Sequence, residues 1–182
     1  RPDQIELVRG DANAELPRIL GTIHPRAYIF AFADIEAPRQ WPWSSVEALR
    51  AHHHRSVDLY ALFPLEMALN RLFSYAETHK RRYAHILTRF FGSEEWRKID
   101  ERRITKAQSP DLRRALEQLY LRRLREHWRY VESAVEVKRR GGHFLYKMIF
   151  ASNHDAGKRI AAWAKRATRR ANSGGQGSLF DP

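Results

Sequence analysis

The sequence predicts an α/β fold in which helices cover a parallel sheet, a helical block interrupts the alternation, and an antiparallel hairpin closes the chain. Three observations predict it. Two apolar runs, residues 27–32 and 57–62, are separated by helical signals, which is the strand–helix alternation of a parallel sheet. Residues 65–127 then read as helix throughout. Beyond them, residues 130–137 alternate apolar and polar side chains, and a second apolar run over 143–151 follows Gly141-Gly142, a pair suited to a turn that needs positive φ.

Each element has its own signals. Ile5-Glu6-Leu7-Val8 alternates and meets Gly10-Asp11, so it is expected to be a short strand ending in a turn. Asn13 is expected to cap a helix running to Leu20, with Gly21 after its end. The continuous apolar run Ala27-Tyr28-Ile29-Phe30-Ala31-Phe32 predicts a strand buried on both faces. It stops at Asp34, and Pro38 and Pro42 break regular structure before Ser44 or Ser45 opens a helix through Val46 and Leu49. Val57 to Leu62 is the next strand, ended by Pro64.

In the helical block, Gly92-Ser93 separates a segment over 81–91 from one over 94–104. Ser109-Pro110 with Asp111 starts a third helix, whose Leu112, Leu116, Leu119, Tyr120 and Leu124 recur at three- and four-residue spacing. A last helix is expected from Asp155 to Arg170. Residues 172–182, opening with Asn172-Ser173-Gly174-Gly175, read as a flexible tail behind one domain over 1–171.

Of the 182 residues, 43% are apolar and 30% charged, a composition able to bury a core. No run approaches the about 20 apolar residues that cross a bilayer, so no membrane is expected as partner. The absence of cysteine excludes disulfides, a thiol nucleophile and zinc–cysteine sites, and makes a reducing cytoplasm the simplest compartment. The net charge is +12, unevenly spread. Residues 1–64 carry seven basic and eight acidic side chains, residues 65–127 fifteen and nine, and residues 128–182 eleven and four. An excess confined to the last two thirds points to a polyanion, most simply nucleic acid and DNA first, against a merely solvated surface.

Several short blocks then agree in order. Gly10-Asp11-Ala12-Asn13 leads to Leu16-Pro17. Phe32-Ala33-Asp34 precedes Trp43 and Val46-Glu47-Ala48-Leu49, and Val57-Asp58-Leu59 leads to Phe63-Pro64. Leu145-Tyr146, Phe150-Ala151-Ser152-Asn153-His154 and Gly157-Lys158 follow. In this order the chain resembles the three-Cys-motif partner family, bacterial proteins named for a neighbouring gene product with three cysteines. The resemblance implies part of a doubly wound, Rossmann-like sheet of the class I methyltransferase type. The glycine-rich cofactor unit would precede Arg1. It implies S-adenosylmethionine as cofactor of a longer protein and none for this chain alone, the three-Cys-motif protein as partner, and action on or beside nucleic acid in repair or modification. Where the family shows Asp-Pro-aromatic-Gly, this chain has Asp34-Ile35-Glu36-Ala37. The scaffold is thus implied more firmly than methyl transfer, and a non-catalytic nucleic-acid-binding adaptor is the alternative.

The candidate residues follow. Asp34 and Glu36 lie after a parallel strand, where open sheets gather ligands, and are the candidate catalytic or substrate-positioning acids; the alternative is a loop that satisfies its own backbone. Asp11 is the candidate cofactor contact, against a role in capping the next helix. Trp41 and Trp43 are candidates to stack on a base, or else cover the sheet edge. His52-His53-His54 reads as a polar helix end, because adjacent helical residues diverge by about 100° and cannot converge on one ion. His154 precedes the last helix as a weaker ligand candidate. Arg114, Arg122, Arg123, Arg125, Arg139 and Arg140 are the candidate phosphate contacts. The tail Gln176-Gly177-Ser178-Leu179-Phe180 looks like the pentapeptide with which bacterial replication and repair proteins bind the sliding clamp. Gln176, Leu179 and Phe180 are its anchors, and Gly177 departs from the pattern.

Overall fold

The structure is a computed structural model that describes residues 5–52, 57–64, 69, 77–103, 110–138, 144–157, 159, 162 and 166. In chain order the elements are α1 (Ala12–Thr22), β1 (Ile29–Ala33), a 3-10 turn (Pro38–Gln40), α2 (Trp43–His52) and β2 (Val57–Phe63). There follow α3 (Glu77–Phe91), α4 (Trp96–Arg103), α5 (Pro110–Arg125), β3 (Tyr130–Lys138) and β4 (Phe144–Ser152). The fold is mixed α/β. Among the described residues four strands lie in the order β1-β2-β4-β3. β1 and β2 are parallel, with Ile29 opposite Val57 and Ala33 opposite Ala61. β4 runs antiparallel to both β2 and β3, so β3 shares the direction of β1 and β2. The expected hairpin is present, with register shifts between Ser133 and Val135 and between Val137 and Lys138.

One face of the sheet carries the core. Along β2 the odd residues Val57, Leu59, Ala61 and Phe63 are all at most 2% exposed. Phe63 meets Phe90 of α3 at 5.9 Å and Tyr120 of α5 at 5.2 Å between ring centroids, and Phe90 stacks on Tyr120 at 5.0 Å. Burying rings of this size is the main apolar contribution to the fold. Trp128, just after α5, donates its indole N–H to the Val57 carbonyl at 2.8 Å, tying the start of the hairpin to β2. On the other face, Tyr60 packs edge-on against Phe150 of β4 at 6.1 Å. A Cβ on Gly157 would lie 2.3 Å from Ser152 Oγ and 3.1 Å from Phe150 Cζ, so this position seats against β4 only as glycine. The described residues among 155–166 are helical, as the sequence predicts.

Four expectations are corrected. Residues 5–9 form no strand, and Ile5, Leu7 and Val8 are exposed, because among the described residues no strand offers them backbone partners. Asp11, not Asn13, caps α1: its Oδ1 accepts from the Asn13 amide at 2.9 Å. α1 runs past Gly21 to Thr22. β1 is covered on one face only: Ala33 is buried, whereas Phe30 and Phe32 are 59% and 57% exposed. An apolar run fits burial on two faces, but among the described strands β1 is the sheet edge, and its second face stays exposed at Phe30 and Phe32.

Candidate nucleic-acid interface

α5 positions the candidate arginines. Pro110 supplies a preset φ in its first turn, and the Leu-Tyr stripe anchors one side: Leu116, Leu119, Tyr120 and Leu124 are all at most 1% exposed. Burial raises the pKa of the Tyr120 hydroxyl, which keeps it neutral. Glu117, on the buried side, receives Lys147 of β4 at 2.7 Å and locks the helix to the sheet. The opposite side is solvent-exposed and carries Arg114, Gln118, Arg122 and Arg125 at spacings of four, four and three, which is one helical row.

The arginines divide by what they touch. Arg122 pairs with Glu95 at the surface, an arrangement that water and salt compete with readily. Arg125 donates to the Val131 carbonyl at 3.4 Å. Arg123 turns inward: its guanidinium lies 4.9 Å above the Trp43 ring and donates to the carbonyls of Gly92 at 3.2 Å and Phe91 at 3.4 Å. Its side chain is 18% exposed, so it caps α3 instead of facing solvent. Arg139 and Arg140 lie outside the described residues. Arg129, exposed and 5.1 Å above the Tyr130 ring, is a further surface cation that the sequence reading passed over.

The acids sit elsewhere, at the C-terminal end of β1. Asp34 and Glu36 are exposed on either side of the buried Ile35. The Gln40 side-chain carbonyl accepts the amides of Glu36 at 2.7 Å and Ala37 at 3.0 Å, so the turn is satisfied from within. Asn13 donates to Asp11 Oδ1 at 3.2 Å and to the Gln40 carbonyl at 3.1 Å, which draws Asp11 to this same edge. Trp41 and Trp43 belong to the core, at 9% and 3% exposure, so neither offers a free face to a base. His52 ends α2, while His53 and His54 are outside the described residues. Among the described residues no cluster of three or more His, Cys, Asp or Glu could hold a metal ion. His154 is exposed, its amide bonded to Ser152 Oγ at 3.0 Å. Gln176, Leu179 and Phe180 lie outside the described residues.

What the arrangement offers is a rigidly held row of cations, separate from a self-satisfied acidic turn. Among the described residues no helix is long and apolar enough to cross a membrane. Compared with family models, with curated proteins and with solved structures, the chain gives no match to any of them.

Proposed function

We propose that this protein binds nucleic acid, DNA first, through the outward row of α5, and that it does so as a non-catalytic adaptor on a methyltransferase-like scaffold of the three-Cys-motif partner type. The observation that carries the reading is the row itself: Arg114, Arg122 and Arg125 are exposed on a helix anchored on its other side by the buried Leu116, Leu119, Tyr120 and Leu124. A helix fixed in this way presents charge at low entropic cost, and phosphate contacts need only charge and reach. The burial of Trp41 and Trp43 favours binding without base extrusion. Methyl transfer with Asp34 as the positioning acid is the second reading. It is favoured by the sheet, in which a parallel pair ends in an antiparallel hairpin, as the family resemblance implies. S-adenosylmethionine, the three-Cys-motif protein and the sliding clamp enter as cofactor and partners through resemblance alone.

Salt titration tests the adaptor reading. Neutralising about six phosphates of duplex DNA gives a slope of log affinity against log salt near −5. Replacing Arg114, Arg122 and Arg125 together by Ala should bring it to roughly −2 to −3 while leaving the helical signal unchanged. Arg123 is kept, because its loss would unfasten α3. A slope near zero in the parent, or one unmoved by the three substitutions, overturns the reading.

A further inference from the structure

The segment that joins α3 to α4 is fixed on both sides of Glu95. Gly92 turns the chain at φ +65°, and Ser93 Oγ accepts the Glu95 amide at 3.4 Å. Trp96, 3% exposed, donates its indole N–H to Thr88 Oγ1 of α3 at 3.1 Å. Held between a tight turn and a buried ring, Glu95 keeps its side chain 48% exposed and accepts Arg122 Nη2 of α5, 27 residues further along the chain. Arg122 stands in the middle of the outward row. By the helical rise, Arg125 lies about 4.5 Å from it along the axis and Arg114 about 12 Å to the other side. Among the described residues Arg122 is the one arginine of that row in an ion pair. Arg97 and Arg123 pair with acids three residues away in the chain, whereas the Glu95 pair joins two elements.

We propose that the Glu95 carboxylate is a built-in substitute for a nucleic-acid phosphate: it occupies Arg122 in the free protein and is exchanged for a phosphate when a polyanion seats on the row. The inference rests on the nucleic-acid reading and adds a threshold to it. A carboxylate and a phosphate ester present similar anionic oxygens to a guanidinium, so the two compete for one fork. Both partners are about half exposed, and a pair of this kind is weak enough to be displaced. Local concentration decides what displaces it. A small free anion meets a tethered rival and has one cation to gain. A strand whose phosphates are already held by Arg114 and Arg125 brings the next one to Arg122 at high effective concentration. Glu95 therefore closes the centre of the row to lone anions while leaving it open to a chain of phosphates.

A double-mutant cycle in duplex binding tests this. The parent, Glu95→Gln, Arg122→Ala and the double variant are titrated with one labelled duplex by fluorescence anisotropy between about 50 and 200 mM salt, with circular dichroism to show that each is folded. Glu95→Gln should tighten binding by about fivefold or more and steepen the slope of log affinity against log salt by about 0.9, the value of one further phosphate. In the Arg122→Ala background the same substitution should gain less than about twofold, because no arginine is left to release. A carboxylate acting only through the general field would give equal gains in both backgrounds. A parent that binds with the expected salt dependence but shows equal gains, or none, overturns the exchange and leaves the nucleic-acid reading standing. A parent whose affinity does not respond to salt overturns both.

Discussion

Gly92 shows how a single position holds three elements. It ends α3 with φ +65°, a conformation L side chains rarely adopt. A Cβ there would lie 2.3 Å from Cγ and 2.4 Å from Cδ1 of Trp43, and its carbonyl receives Arg123. Gly92→Ala is therefore expected to destabilise the protein by about 2–4 kcal/mol, combining backbone strain with overpacking; the midpoint of urea unfolding measures it. His127 sits against the same group, 5.9 Å from the Trp43 ring and 6.1 Å from Trp128. Burial, then the charge of Arg50, holds its pKa below the ordinary 6.5. The folded state thus resists a proton that the unfolded chain accepts. The contribution of this residue to stability is complete above about pH 6.5 and declines as the pH falls below it. Melting temperatures measured from pH 7.5 to 5 should fall more steeply for the parent than for His127→Gln. Equal slopes would show that the imidazole stays uncharged in both states or titrates freely in both.

At the scale of the element, α5 was the most legible part of the molecule and also the most misleading. The spacing of Leu112, Leu116, Leu119, Tyr120 and Leu124 sets its buried side without ambiguity, and the exposed row follows by geometry. The spacing puts Arg123, four residues after Leu119 and three after Tyr120, on the buried side and off the exposed row, but it does not give its partners. Its inward turn depends on Trp43 and on the end of α3, both distant in the chain. Glu117 was hidden for the same reason. Its Lys147 partner is 30 residues away on β4, and their side chains are 6% and 18% exposed. Lys147→Met should cost about 3 kcal/mol by leaving a buried carboxylate unpaired, and adding Glu117→Leu should recover most of it; a double-mutant cycle by denaturant unfolding reads both. β1 gave the opposite error. Its apolar run fits cover on both faces, and a sequence segment does not say which of its faces its neighbours cover. Asp11 was legible only as a pair of alternatives, and the observed bond to the Asn13 amide is the capping one.

At the scale of the whole molecule, the α/β class, the parallel pair and the closing hairpin followed from the alternation of patterns. The position of β4 did not, because insertion between two earlier strands leaves no local trace. That insertion governs how the chain must fold as it is made. β2 is complete at Phe63, yet its partner on one side begins only at Phe144. At synthesis rates of ~5–20 residues per second, a nascent chain carries an unfinished sheet for several seconds. Throughout that time the growing polypeptide exposes one edge of β2. Until Ser152 has been added the register of β2 with β4 cannot form, and β3 has no strand of its own to join. Crowded ribosomes on one message would then hold complementary edges close together. A chaperone that binds extended apolar segments would find its target in the sequence Val57 to Phe63, and would be released when β4 arrives to take its place.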